Sequence, residues 1–167
     1  MIIGLCSKAP QAGKDCAARF LFKHGFVRAA FGDSIKEYCK VHYGWDGRKN
    51  VRGRELLTTI AMKIRNEVDQ LYWIKRTGPV IDRLIKEEKP VVITDVRMLA
   101  EEKYLRENFN NFYLVEIKRD NVTKGRDAPT QVEIVQMNID YVLDNNGTMD
   151  ELSNNVEKML KYFGGSD

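Results

Sequence analysis

Gly13 and Lys14 lie in the stretch "SKAPQAGKDC", residues 7 to 16, directly behind the apolar run "MIIGLC". A Gly-Lys pair between a strand and a helix suits phosphate chemistry. Successive loop N–H groups and the helix N-terminus face an anion, the glycine lets the backbone approach closely, and the lysine adds a point charge. The strict phosphate-loop pattern, G-x-x-x-x-G-K-[ST], calls for glycine at 8 and a hydroxyl residue at 15; this chain carries Lys8 and Asp15. Lys8, Ala9, Pro10, Gln11, Ala12, Gly13, Lys14, Asp15 and Cys16 therefore form a candidate phosphate cradle. The alternative is a plain strand-to-helix turn with a solvated lysine.

Two further loops carry groups of the same kind. "FGDSIKEYC" brings Asp33 and Lys36 to a predicted helix start, where Asp33 or Ser34 would also serve simply as N-cap. "TDVR" places Asp95 at the end of a buried strand with Arg97 two residues on. That carboxylate suits Mg²⁺ held through water or a substrate hydroxyl, and the arginine suits bidentate phosphate recognition, unless the pair only caps the strand. The segment 52 to 76 adds Arg54, Arg65 and Trp73, which by themselves read as helix surface.

Alternating strands and helices must position these groups. Ile2 to Cys6, Val27 to Phe31, Val91 to Thr94, Phe112 to Ile117 and Tyr141 to Leu143 are short, β-branched or aromatic runs, and they read as five strands. Leu56, Leu57, Ile60, Ala61, Ile64 and Val68 recur at helical spacing, as do Val80, Ile81, Leu84 and Ile85 behind Pro79, which reads as a helix start. Thr148 and Glu151 form a capping box ahead of Leu152, Val156, Met159, Leu160 and Phe163. The β-α alternation and the unbroken apolar "VVIT" predict an α/β fold, a five-stranded parallel sheet with helices on both faces. In such a sheet, ligands bind at the carboxyl ends of the strands, where all three loops fall.

With 167 residues and 43% hydrophobic content, the chain suits one domain. No apolar stretch reaches the length of a membrane span and the initial apolar run is too short for a signal peptide, so a cytoplasmic protein is expected. Cys6, Cys16 and Cys39 are odd in number and lack metal-ligand spacing, which favours reduced thiols. A net charge of +3 is too small to indicate a nucleic-acid polymer as partner.

Together, "AGKDC", "FGDSIKE", "RNEVDQLYWIKR", "VVITDVR" and "YVLDNNGTMDEL" follow the order found in the bacteriophage deoxynucleoside monophosphate kinases, and the chain resembles that family from Met1 to about Phe163. The resemblance implies a nucleoside monophosphate kinase-like P-loop fold. ATP and Mg²⁺ would be the cofactors and small nucleotides the partners, with no membrane involved, in a monomer or homodimer. It implies transfer of the ATP γ-phosphoryl group to a deoxynucleoside 5′-monophosphate. It also implies an acceptor-binding helical region at about 33–76 and a lid at about 119–138. Residue by residue, Gly13 and Lys14 match the phosphate cradle, and Asp15 stands where other P-loop proteins keep the Mg²⁺-binding hydroxyl; Asp15 and Asp95 are the implied metal residues. Asp33, Lys36, Arg65, Trp73, Asp95 and Arg97 match positions around the acceptor. Arg119 matches the arginine that begins the lid, Arg126 is a second lid arginine, and Asn145 to Gly147 would lie near the adenine. Three departures from the family stand out. Lys8 replaces the first loop glycine, Cys16 replaces a threonine, and the lid segment has only Gln131 and Glu133 in place of a histidine and a closely following acid. A kinase for another small acceptor such as dephospho-coenzyme A, or a nucleotide-binding protein with weakened turnover, are the other readings.

Overall fold

The computed structural model describes residues 1–120 and 133–164. In chain order these form β1 (Ile2–Cys6), α1 (Lys14–Lys23), β2 (Val27–Ala29), α2 (Phe31–Tyr43), α3 (Val51–Glu67), α4 (Tyr72–Lys86), β3 (Val91–Ile93), α5 (Leu99–Asn108), β4 (Phe112–Lys118), β5 (Tyr141–Asp144) and α6 (Met149–Gly164). The sheet order is β2-β3-β1-β4-β5 with every pairing parallel, so all five strands point their carboxyl ends to the same edge. β1 is central, and its five residues are all buried, as a strand covered by helices on both faces requires.

Strand alternation divides the core in two. Ile2, Cys6, Ile93 and Leu114 pack on one face with Ile74, Ile81 and Leu84 of α4 and Leu105 of α5. Ile3, Leu5, Val92 and Val115 pack on the other with Ala17, Ala18 and Leu21 of α1 and Leu152, Val156 and Met159 of α6. A third cluster, Cys39, Trp45 and Ile60, joins α2 to α3 beyond the sheet.

Five parallel strands with helices on both faces match the sequence expectation; three strand ends shift by one residue and two boundaries differ more. The second strand stops at Ala29, and Phe31 opens α2. Pro79 lies inside α4 and not at its start. The buried positions Trp73, Ile74, Thr77, Gly78, Ile81 and Leu84 form one continuous face through the proline, and the burial of that face outweighs the one helical hydrogen bond a proline removes. The predicted box on the last helix is present: Thr148 N donates to Glu151 Oε2 at 2.6 Å and Glu151 N to Thr148 Oγ1 at 3.2 Å.

Candidate active site

The loop between β1 and α1 is built to expose its own amides. Gly13 has φ +96°, a left-handed value that strains any residue with a Cβ. A Cβ there would also meet Asn145 Nδ2 at 2.2 Å. That amide nitrogen, buried in the turn after β5, donates to Ala12 O at 2.7 Å and so pins the loop from across the sheet edge. Among the described residues, no group accepts from the N–H of Ala9, Gln11, Gly13, Lys14 or Asp15; the α1 ladder begins only with Cys16 and Ala17 donating to Gly13 O, both at 3.0 Å. Free N–H groups in a glycine turn running into a helix N-terminus make an anion cradle.

Lys14 is held back against this loop. Its Nζ donates to Ser7 Oγ at 2.7 Å, and the Ser7 hydroxyl donates on to Ala9 O at 2.7 Å. Burial, with the nearby Arg97 charge, lowers the Lys14 pKa below the usual lysine value. An ammonium short of solvent beside another cation gains from a phosphate more than a solvated one would. Ser7, wholly buried, was missed in the sequence because it precedes the stretch the motif spans.

Lys8, in the first-glycine position, does not take a positive φ; Gln11 does, at 57°. The left-handed positions of the loop are thus Gln11 and Gly13. The Lys8 Nζ lies 2.8 Å from Glu116 Oε2, a largely buried carboxylate on β4. Cys16, half-buried, packs against the α1–α6 core; Cys6 is wholly buried, and burial, with Glu116 nearby, pushes its thiol up to about 12.

Across the strand ends lies a more highly charged region. Asp95, half-buried at the end of β3, accepts from Phe31 N at 2.9 Å through one oxygen and from Gly32 N at 2.8 Å through the other. It therefore caps α2 from a different strand. Gly32 is required for this, since a Cβ would sit 2.9 Å from Asp95 Oδ2. Burial raises the Asp95 pKa, against the pull of these two amides. Asp33, one of the two expected caps, is instead the partner of Arg28 on β2 and of Lys36, whose Nζ lies 2.5 Å away. Burial would raise its pKa, but the hydrogen bonds from Arg28 and Lys36 win and hold the carboxyl below its usual range. Ser34, the other expected cap, shares a 2.8 Å hydrogen bond with Thr77. Arg65 Nη2 reaches Glu101 Oε1 at 3.5 Å, and Arg97 is exposed beside this cluster.

Trp73 is 1% exposed and donates through its indole N–H to Ala61 O at 3.1 Å, with Tyr38 and Tyr72 edge-on to its ring. It fastens α4 to α3 and offers no free face to a ligand. Arg119 lies exposed in a cleft of about 500 Å³ with Lys8, Ala9, Glu116, Lys118 and Val142. Gly147 lines a smaller one of about 250 Å³ with Asp144 and Glu151. Arg126 and Gln131 lie outside the described residues. Glu133 accepts from Leu99 N at 2.8 Å, which makes it a brace for the start of α5 and not a stand-in for a lid acid.

A central strand that runs into an amide-lined glycine turn, in a parallel sheet covered by helices on both faces, gives the chain the P-loop kinase fold. Solved structures share the architecture. The chain is similar to a dephospho-CoA kinase from Campylobacter jejuni at 14% identity, covering 98% of each chain with a TM-score of 0.60. It is similar to a sugar kinase from a Janibacter species at 12% identity, covering 98% of this chain and 94% of that one, with a TM-score of 0.57. With shikimate kinase from Aquifex aeolicus the values are 13% identity, 99% and 98% coverage and a TM-score of 0.53. These likenesses carry the fold. No match was found among curated proteins. The deoxynucleotide monophosphate kinase family matches residues 48–156, more than half of the chain, and the protein belongs to that family. It is a nucleotide kinase whose reaction is phosphoryl transfer from ATP to a deoxynucleoside 5′-monophosphate.

Proposed function

We propose that residues 8–16 hold the ATP phosphates, with Lys14 as the principal charge on the transferring group, and that Asp33, Lys36, Arg65, Asp95 and Arg97 form the acceptor side. The observation that carries this reading is the row of unpartnered amides around Gly13, with Lys14 turned toward it on a buried serine. Phosphoryl transfer needs little covalent help from a protein; positioning and charge neutralisation lower most of the barrier. Lys14, leaving Ser7, would follow the charge that spreads over the γ-oxygens. Arg65 and Arg97 would hold the acceptor phosphate in line. Arg119 and Arg126 would cover the donor side, with Arg119 and the turn at Asn145 to Gly147 near the base.

Asp15 and Asp95 fit Mg²⁺ in different degrees. Asp15 is exposed at the start of α1 beside Lys14. Asp95 already accepts one amide per oxygen and keeps lone pairs only for a metal-bound water. Among the described residues no three His, Cys, Asp or Glu side chains cluster for a metal, which suits an ion carried mainly by nucleotide phosphates and water. Mg²⁺, when bound, neutralises charge on the β- and γ-phosphate oxygens.

The region 33–76 then serves the acceptor and 119–138 the lid, within one kinase domain. Trp73 belongs to the first as its internal brace. The family resemblance supports a bacteriophage-type enzyme working in the host cytoplasm.

The test is ATP consumption with each deoxynucleoside monophosphate in turn, with ribonucleotides and dephospho-coenzyme A beside them. At least one deoxynucleoside monophosphate is expected to be converted to its diphosphate faster than any other acceptor. Conversion of dephospho-coenzyme A alone would overturn the acceptor assignment.

A further inference from the structure

Glu101 is a buried carboxylate, 3% exposed, that the phosphate-transfer account above does not use. Its two oxygens face different parts of the molecule. Oε2 accepts from Arg97 N at 2.8 Å and from Met98 N at 3.1 Å, which fixes the turn from β3 into α5. Oε1 pairs with Arg65 Nη2 of α3 at 3.5 Å. Arg65 is itself largely buried, with its side chain 17% exposed. A helix-capping glutamate needs only the first set of contacts and sits in solvent in most proteins. Here the same carboxylate also grips an arginine 36 residues earlier in the chain. We propose that Glu101 is a positioning residue for the acceptor phosphate: one carboxylate sets both the turn that carries Arg97 and the guanidinium of Arg65, so that the two cations meet the acceptor at a fixed separation.

The electrostatics agree. Lys14, Arg65 and Arg97 lie around the strand ends, and like charges in a half-buried site drive one another toward solvent. A guanidinium presents five N–H donors in a rigid fork. Glu101 faces one Nη of the fork at 3.5 Å and leaves the other donors for phosphate oxygens. Burial keeps that grip from being screened by salt. The residue escapes a sequence reading because glutamate at the third position of a helix looks like an ordinary cap and its second partner is on another element.

The inference rests on the acceptor-side reading of Arg65, and the test separates the two. Glu101→Gln keeps an oxygen for the Arg97 and Met98 amides and removes the charge from Arg65. With ATP and the deoxynucleoside monophosphate turned over fastest, it is expected to raise the acceptor KM about tenfold while leaving the ATP KM within about twofold. Arg65→Ala is expected to raise the acceptor KM by a similar factor or more, and Glu101→Gln added to Arg65→Ala to raise it no further. If Arg65→Ala raises the acceptor KM but Glu101→Gln does not, or if the two effects multiply independently, the positioning role is overturned and the site reading stands. If Arg65→Ala leaves the acceptor KM unchanged, the acceptor-side reading falls and the inference with it. Should Glu101→Gln fail to fold, Glu101→Asp retains the charge on a shorter arm; a raised acceptor KM supports the role and an unchanged one overturns it.

Discussion

The two sides of the strand ends are held by different forces. Beside the Lys8–Glu116 ion pair, the phosphate loop is fixed by short contacts between uncharged groups: Asn145 to Ala12 at 2.7 Å, Ser7 to Ala9 at 2.7 Å, and a left-handed glycine. The acceptor side is fixed by charge: Arg28 and Lys36 on Asp33, Arg65 on Glu101, and Asp95 on the amides of α2. The difference fits the roles proposed for the two sides. A cradle of backbone amides works only if the backbone has one shape, and directional hydrogen bonds impose a shape. A site that gathers cations around an acceptor phosphate must first keep those cations apart and aimed, and carboxylates do that. The loop should therefore be sensitive to steric change, and the acceptor side also to pH near neutrality.

The strongest break of this contrast is Gly13→Ala. The added Cβ is strained at φ +96° and collides with the Asn145 amide, so either the loop or its pin must move. Misplacement of a reacting group by about 1 Å costs on the order of a hundredfold in rate. A loss of that size in kcat/KM is expected, with ATP affinity reduced in parallel by calorimetry. Activity within threefold of the parent would mean that the loop does not cradle the donor.

A smaller effect sharpens the other half. Burial, with the charge of Asp95, pushes the Glu101 carboxyl up to about 7, against the pull of the Arg97 and Met98 amides and of Arg65. Because the native pKa stands above that of the unfolded chain, near 4.5, its proton stabilises the fold fully below pH ~4.5, and that contribution is lost as pH rises toward 7. The grip on Arg65 runs the opposite way, since only the ionised carboxylate forms the pair. The acceptor KM of the parent is therefore expected to fall a few-fold further between pH 6 and 8 than that of Glu101→Gln. The second ionisation of the acceptor phosphate, near pH 6, is common to both proteins and cancels in the comparison. Parallel profiles would show that Glu101 does not titrate in this range.

What the sequence made legible follows contact range and not charge. The parallel sheet, the Gly-Lys turn and the box at Thr148 and Glu151 are local patterns, with strand period, turn residues and caps written within a few positions of one another. Contacts between distant segments, charged or not, are not local: Asn145 is 133 residues from the Ala12 carbonyl it pins. Glu116 lies 108 residues from Lys8, and Asp95 is 63 and 64 residues from the amides it caps, so neither Glu116 nor the capping role of Asp95 left a nearby signal. The bracing role of Trp73 was not legible, because nothing in the spacing distinguishes an indole N–H that meets Ala61 O from one that meets a base. Pro79 misled for the opposite reason: its local meaning is strong, and tertiary burial of α4 overrode it.

We take the loop at residues 8–16, which precedes the segment matched to the kinase family, as the working donor site. Direct quantification of deoxynucleoside diphosphate formed from ATP by the parent and by Lys14→Ala tests it most plainly. The parent should form product. The variant, folded by circular dichroism and of similar melting temperature, should lose at least about a hundredfold in rate, because it removes the charge that follows the transferring group. Equal rates from the two proteins would contradict the account.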